Sequence, residues 1–204
     1  MKLACALFIG VMCYLVLGCG AALSEKECIN ADWRMIGLED GMRGKSMLSL
    51  SGYRKACSEV DVVPDLAAYE QGHNDGLKHY CVYQTGYNLG QRGSALNTAC
   101  PETAVQYQDG YAFGRRVYDA RVVVNTINRD ISASENRIET IKTDIASNEH
   151  ALVAKDTDAE TRLEAVLALK KLNEQLASEE GVLRKLQRQL TRAQRNYQSV
   201  VSQP

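Results

Sequence analysis

The apolar positions of this chain follow three rhythms in succession. From Leu3 to Leu17 they form an almost unbroken run. Between residues 33 and 114 single aromatic side chains recur, each followed by glycines at steps of three and four. From Val117 onward the rhythm becomes heptad, with Val124, Ile127, Ile131, Ile138, Ile141 and Ile145 in one seam, Ser134 and Asn148 in the same seam, and an end at Leu152. A second run passes through Leu169, Leu172, Leu176, Leu183, Leu186, Leu190, Ala193, Tyr197 and Val200. Steps of three and four sustained over several heptads predict helices that bury one stripe against a neighbour, as in coiled coils.

The two heptad runs are out of phase, and Ala154-Lys155-Asp156-Thr157-Asp158-Ala159-Glu160 lies between them. Thr157 followed three residues later by Glu160 fits a capping box, in which hydroxyl and carboxylate satisfy free amides at a helix start. The pattern therefore predicts two antiparallel helices joined near residues 154 to 158, each of about 40 residues and about 60 Å. The competing arrangement is one continuous helix with a phase slip, which needs a partner chain.

The middle region carries a degenerate repeat. Trp33 precedes Gly37, Gly41 and Gly44; Tyr69 precedes Gly72, Gly76 and Tyr80; Tyr83 precedes Gly86, Gly90 and Gly93; Tyr107 precedes Gly110 and Gly114. On a helix each set falls on one face, where the glycines leave a groove that admits a neighbouring backbone or ring. Each interior glycine costs about 1 kcal/mol against alanine, so such helices need packing and crosslinks to persist. Asp40-Gly41, Asp75-Gly76 and Asp109-Gly110 would serve equally as hairpin turns. Their flanks lack period-two alternation, however, and the remaining glycines would be left without a role.

Composition changes sharply near residue 115. Beyond Gly114 the only glycine is Gly181 and the only proline is Pro204. Gly20 to Gly114 holds 8 Lys or Arg against 12 Asp or Glu, and Arg115 to Pro204 holds 15 against 13. The whole chain is nearly neutral, with 24 basic and 25 acidic side chains, so no global field points to nucleic acid. The expected fold is all-α, with a signal segment at residues 1–18, a linker at 19–27, a Gly/Tyr-repeat module at 28–114 and a helical hairpin at 115–204.

Lys2, the apolar run and Leu15-Val16-Leu17-Gly18-Cys19 together resemble a bacterial lipoprotein signal with its lipobox. The resemblance implies lipidation of Cys19 and cleavage before it. Three acyl chains at about 0.8 kcal/mol per buried methylene hold a protein to a membrane stably. The run is short for a spanning helix, and an ordinary secretory signal cut near Ala21 or Ala22 is the plainer alternative. Gly20 is not the aspartate that resembles an inner-membrane retention signal, so the expected location is the outer membrane facing the periplasm.

Cys28, Cys57, Cys81 and Cys100 remain after the signal. An even number in an exported chain points to disulfides, since the bacterial periplasm is oxidising. Four cysteines allow three pairings, and spacing does not choose among them. Pairing Cys28 with Cys57 and Cys81 with Cys100 gives the short loops, each worth about 3 kcal/mol. Zinc is disfavoured because no pair stands at the spacing of zinc knuckles.

The ordered set Trp33-x3-Gly37-x2-Asp40-Gly41-x2-Gly44, Tyr69-x2-Gly72-x3-Gly76-Leu77, Tyr80-Cys81, Gly86-x3-Gly90-x2-Gly93, Cys100-Pro101 and Tyr107-x2-Gly110-x3-Gly114 resembles the YfiL-like family of uncharacterised bacterial lipoproteins over roughly residues 28 to 118. That resemblance implies an envelope domain with no assigned activity, and it does not reach the tail.

The chain shows no nucleophile elbow, phosphate loop, zinc-protease helix or calcium loop. His73, Asp75, His79 and Cys81 crowd one segment, but six residues between the histidines is not same-face helical spacing. Asp40, Asp75 and Asp109 are explained most simply by local capping and turn bonding. Ser94 has no histidine nearby in sequence. Arg184, Lys185, Arg188, Arg192 and Arg195 suit either the negative helix end or an anionic envelope polymer. The expectation is a non-catalytic envelope binding or scaffolding protein without a cofactor. It would hold the membrane by its lipid and an envelope protein by its hairpin. Polymer binding through the basic end and an unrecognised hydrolase built on residues 73–81 are the alternatives.

Overall fold

A computed structural model describes residues 23–203. Cys19 and the signal segment at residues 1–18 lie outside the described residues. The described chain is helical, and no strand occurs in it. In order the helices are α1 (Glu25–Ile29), α2 (Trp33–Met42), α3 (Ser49–Cys57), a 3₁₀ turn (Ser58–Val60), α4 (Leu66–Tyr80), α5 (Tyr83–Gln91), α6 (Val105–Val153) and α7 (Ala159–Val201). No described helix is long and apolar enough to cross a membrane.

Short polar side chains start four of these helices. Ser24 and Glu27 form a reciprocal capping box on α1. The carboxylates of Asp32, Asp65 and Asp158 accept the amides of Met35, Ala68 and Thr161, satisfying donors that the helix itself leaves free. The α7 cap is thus Asp158, one residue beyond the predicted Thr157. Its side-chain partner is Thr161, whose amide and hydroxyl both donate to the carboxylate. A carboxylate at this position accepts both donors and suits the positive helix end, which a threonine hydroxyl does less well.

The chain forms two compact units, residues 23–82 with 97–105 and residues 83–96 with 106–203. In the first, α2 packs on α4 backbone to backbone. A Cβ at Gly37 would overlap the Tyr69 carbonyl oxygen, and one at Gly41 that of His73. Reciprocally, Gly72 and Gly76 face the carbonyls of Arg34 and Leu38. The groove foreseen for the glycine stripes is therefore filled by a second glycine stripe. All three Asp-Gly pairs lie inside helices and not in hairpin turns.

Above this pair the core is aromatic. Trp33, Leu50, Tyr53 and Tyr69 cluster with the Cys28–Cys57 disulfide. Trp33 and Tyr53 lie 6.3 Å apart by ring centroid, Tyr53 and Tyr69 6.2 Å. The second disulfide, Cys81–Cys100, ties the end of α4 to segment 97–105. The structure thus contains the short-loop pairing.

The second unit repeats the arrangement. Gly86 and Gly90 of α5 face the carbonyls of Tyr107 and Tyr111 of α6, while Gly110 and Gly114 face those of Tyr83 and Tyr87. Both α2 and α5 end in the same way. Gly44 and Gly93 adopt positive φ of 69° and 75°, which costs glycine little and other residues more. Lys45 N–H donates to Asp40 and Ser94 N–H to Leu89, closing the six-residue bond of a Schellman cap. A tyrosine ring then covers each glycine, Tyr80 over Gly44 and Tyr118 over Gly93. The degenerate repeat is a duplicated helix pair, a pairing that spacing within each stripe does not reveal.

Helix α6 runs without a break from this glycine contact into the hairpin. The composition change near residue 115 lies inside it, where the helix exchanges glycine contacts for the heptad seam. Arg115 and Arg121 donate to the Gly93 and Gln91 carbonyls, placing cations at the negative end of α5. Beyond, α6 and α7 pack antiparallel through the turn at residues 154–158. Ser134 and Ile138 are buried, the other predicted seam positions are half-buried, and Ala165 of α7 is buried as well.

Candidate functional site

Two arrangements bring polar chemistry together. The first lies in the cysteine-bearing unit and centres on Asp40, whose carboxylate is fully buried. Helix α2 places it on the glycine face, between Gly37 and Gly41. Tyr53 from α3 and Tyr69 from α4 both donate to its Oδ2, at 2.8 and 2.9 Å. Lys45, brought round by the Gly44 cap, places Nζ 2.7 Å from Oδ1 and 3.3 Å from the Tyr53 hydroxyl. Asp40 thus serves no local cap or turn through its side chain: its burial demands several partners, and the fold supplies three.

His73 adjoins this network. Its ring stacks on Tyr69 at 5.9 Å, and Nε2 lies 2.7 Å from the Lys45 carbonyl oxygen. His79, also on α4, is exposed, and Cys81 is held in its disulfide. His73, Asp75, His79 and Cys81 are therefore not gathered into one site. Asp75 faces outward and pairs with Lys78 at 2.8 Å and Arg34 at 3.2 Å; Lys78 first, then Arg34, hold its carboxyl below the usual range. Asp109 is exposed on α6, and the Ser94 carbonyl accepts from Tyr111. Among the described residues no group of three or more His, Cys, Asp or Glu is arranged to hold a metal ion.

The Asp40 network fixes an alkaline response. The hydrogen bond and ion pair with Asp40 raise the Lys45 ammonium above its usual value, while burial first and Asp40 second raise both Tyr53 and Tyr69. The folded state holds these three protons more tightly than the unfolded chain. Their stabilising contribution is whole below the ordinary tyrosine value of 10.0 and declines as pH rises through the folded values. The first unit should lose thermal stability steeply above that pH. Tyrosinate absorbance should show a late component from Tyr53 and Tyr69 that ionises together with loss of the near-ultraviolet circular dichroism. A single ordinary titration would contradict this account.

The second arrangement crosses the hairpin. Ser134 occupies a seam position and donates to Glu179 Oε1 at 2.7 Å, while Arg137 reaches the same oxygen through Nε at 3.0 Å and through its terminal nitrogen at 2.6 Å. Arg137 first and Ser134 second lower the Glu179 carboxyl. Glu179 escapes a reading that follows only apolar residues, yet it stands three after Leu176 and four before Leu183, in the seam itself. One polar layer among apolar ones favours a single register between the helices.

These features define a class: a helical protein with two glycine-packed helix pairs, two disulfides and an extended antiparallel hairpin. Residues 32–118 match the model of a protein family described as "Protein of unknown function (DUF2799)". That span begins at Asp32, the cap of α2, and ends at Tyr118, the ring that covers Gly93, so it coincides with the duplicated pairs and leaves out the hairpin. No curated protein and no solved structure matches the chain.

Proposed function

We propose that this is a bacterial envelope lipoprotein of the YfiL-like kind, anchored through Cys19 and facing the periplasm from the outer membrane, that acts without catalysis by holding a second envelope protein on its hairpin. The observation that carries the reading is an apolar strip at the start of α7. Leu163, Val166 and Leu167 are 61%, 51% and 61% exposed at helical steps of three and four, with Val153 of α6 exposed as well. Arg162, Glu164, Lys170 and Lys171 border the strip. An apolar stripe with a charged rim is what the apolar face of a partner helix requires, and each aliphatic side chain covered contributes about 1.5–3 kcal/mol.

A photo-crosslinking residue at position 163 in intact cells should give one discrete protein adduct. Leu167→Glu should abolish that adduct and leave the hairpin folded, because the side chain already faces solvent. No adduct, or one indifferent to Leu167→Glu, counts against the reading. Cys19→Ser, tested on the full chain, should move the protein from the membrane pellet to the soluble fraction, and its retention would dismiss the lipid anchor.

A second reading rests on the basic stripe. Arg184, Arg188, Arg192 and Arg195 follow one another at steps of four and three, and of these only Arg184 has a carboxylate of the described residues within ion-pair distance, Glu180 at 3.8 Å. The last turn of α7 holds no basic residue, so these charges stand too far from the helix end to offset its dipole. They suit an anionic envelope polymer or lipid headgroup. Binding to phosphatidylglycerol vesicles that falls steeply with salt would support this reading, and absence of binding at low salt would remove it.

A further inference from the structure

We propose that the Cys81–Cys100 disulfide is a thiol–disulfide exchange site for a dithiol-bearing protein, and that opening it frees segment 97–105 from the cleft it walls. The two disulfides of the first unit differ in access. Cys28 and Cys57 are 1% and 0% exposed, inside the aromatic core. Cys81 and Cys100 are both partly exposed, and both line a cleft of about 660 Å³ beside His73. Exchange begins when a thiolate reaches a sulfur, so access separates a bond that turns over from one that does not.

The bond also joins the two sides of that cleft. Met47 and Leu77 stand on one side, and Ala99, Pro101 and Ala104 on the other. Asn97 fastens the start of the second side, its Nδ2 donating to the Gly44 carbonyl at 2.8 Å and to the Tyr80 hydroxyl at 3.0 Å. Further along, the amides of Ala104 and Val105 donate to Pro101 and Thr103, within the segment itself. The disulfide holds the middle to the end of α4. Once it opens, residues 98–104 can leave while the core keeps its own crosslink.

The direction of attack follows from the surroundings of the two sulfurs. Cys81 caps the C-terminus of α4, whose negative end disfavours a thiolate, and Lys78 of that last turn is committed to Asp75. Cys100 lies outside any helix and is the better leaving group. The incoming thiolate therefore bonds to Cys81 Sγ, the Cys81–Cys100 bond breaks, and Cys100 departs with the electron pair and takes a proton from water. The partner's second thiolate then attacks the partner's own sulfur in the mixed disulfide and releases Cys81, which is protonated in turn. The partner leaves oxidised to a disulfide, and this chain has gained two electrons and two protons as two thiols.

The test treats the native, oxidised full chain with limiting dithiothreitol, followed by acid quenching, alkylation and peptide mass mapping over time. Cys81–Cys100 should open at least about tenfold faster than Cys28–Cys57. In the half-reduced chain proteinase K should cut within residues 97–105 while the near-ultraviolet circular dichroism of the core persists. Glutathione, a monothiol, should leave its adduct on Cys81. The double variant Cys81→Ser with Cys100→Ser should show the same cut without reductant; if it does not fold, the half-reduced native chain decides the matter. Simultaneous opening of both bonds, earlier opening of Cys28–Cys57, or a protease-resistant segment after Cys81–Cys100 has opened would each overturn the proposal, and an adduct on Cys100 would overturn its order of steps.

Discussion

Reduction of the two disulfides is expected to unfold the first unit and to leave the hairpin helical. The bonds join cysteines 29 and 19 residues apart, and loops of that size contribute about 3–4 kcal/mol each by restricting the unfolded chain. Their joint loss approaches the whole stability of a typical small domain, about 5–15 kcal/mol. The unit also carries a standing handicap, because α2 and α4 each bury two glycines at about 1 kcal/mol apiece relative to alanine. The hairpin contains no disulfide and owes its order to its seam. Limited proteolysis in reductant should therefore cut residues 23–82 and spare a fragment containing α6 and α7. Equal resistance of both regions would show that packing alone sustains the first unit.

Gly76→Val should have an effect of the same order by a different route. Its Cβ would overlap the Leu38 carbonyl and approach Gly41 Cα, so α2 and α4 would have to separate along the whole stripe. Overpacking in a core costs about 1–3 kcal/mol when neighbouring side chains can yield, and more where the obstacle is backbone. A loss of at least about 3 kcal/mol is expected, read as a lowered urea midpoint with the disulfides intact. Gly52 in α3 provides the contrast. A Cβ there meets nothing within 4 Å, so Gly52→Ala should stabilise by about 0.4–1 kcal/mol through helix propensity and a less flexible unfolded chain. If both variants unfolded at the wild-type midpoint, the close approach of α2 and α4 would be refuted.

The parts of the fold legible in sequence are those governed by local periodicity. The hairpin could be read because its seam repeats, and its turn because two runs fall out of phase. The sequence points to Thr157 and the structure uses Asp158, because both are competent caps and only geometry chooses. The glycine stripes announced helices, but each fits any other stripe, so their pairing as α2 with α4 and α5 with α6 is a tertiary fact. The Asp40 network was hidden for a related reason. Tyr53 and Tyr69 stand 13 and 29 residues from the carboxylate they serve, whereas an aspartate beside a glycine has an adequate local explanation. The cleft at His73 depends on a disulfide that brings residues 98–104 against α4, a closure no periodicity encodes.

The continuity of α6 has a mechanical consequence. Between Gly114, which touches the Tyr87 carbonyl, and Ala154 at the turn there is neither glycine nor proline, so about 60 Å of helix holds no point at which bending is cheap. A load applied at the turn is not absorbed along the way. It arrives as leverage on the close backbone contact between α5 and α6, beside which the Tyr87 and Phe113 rings stack.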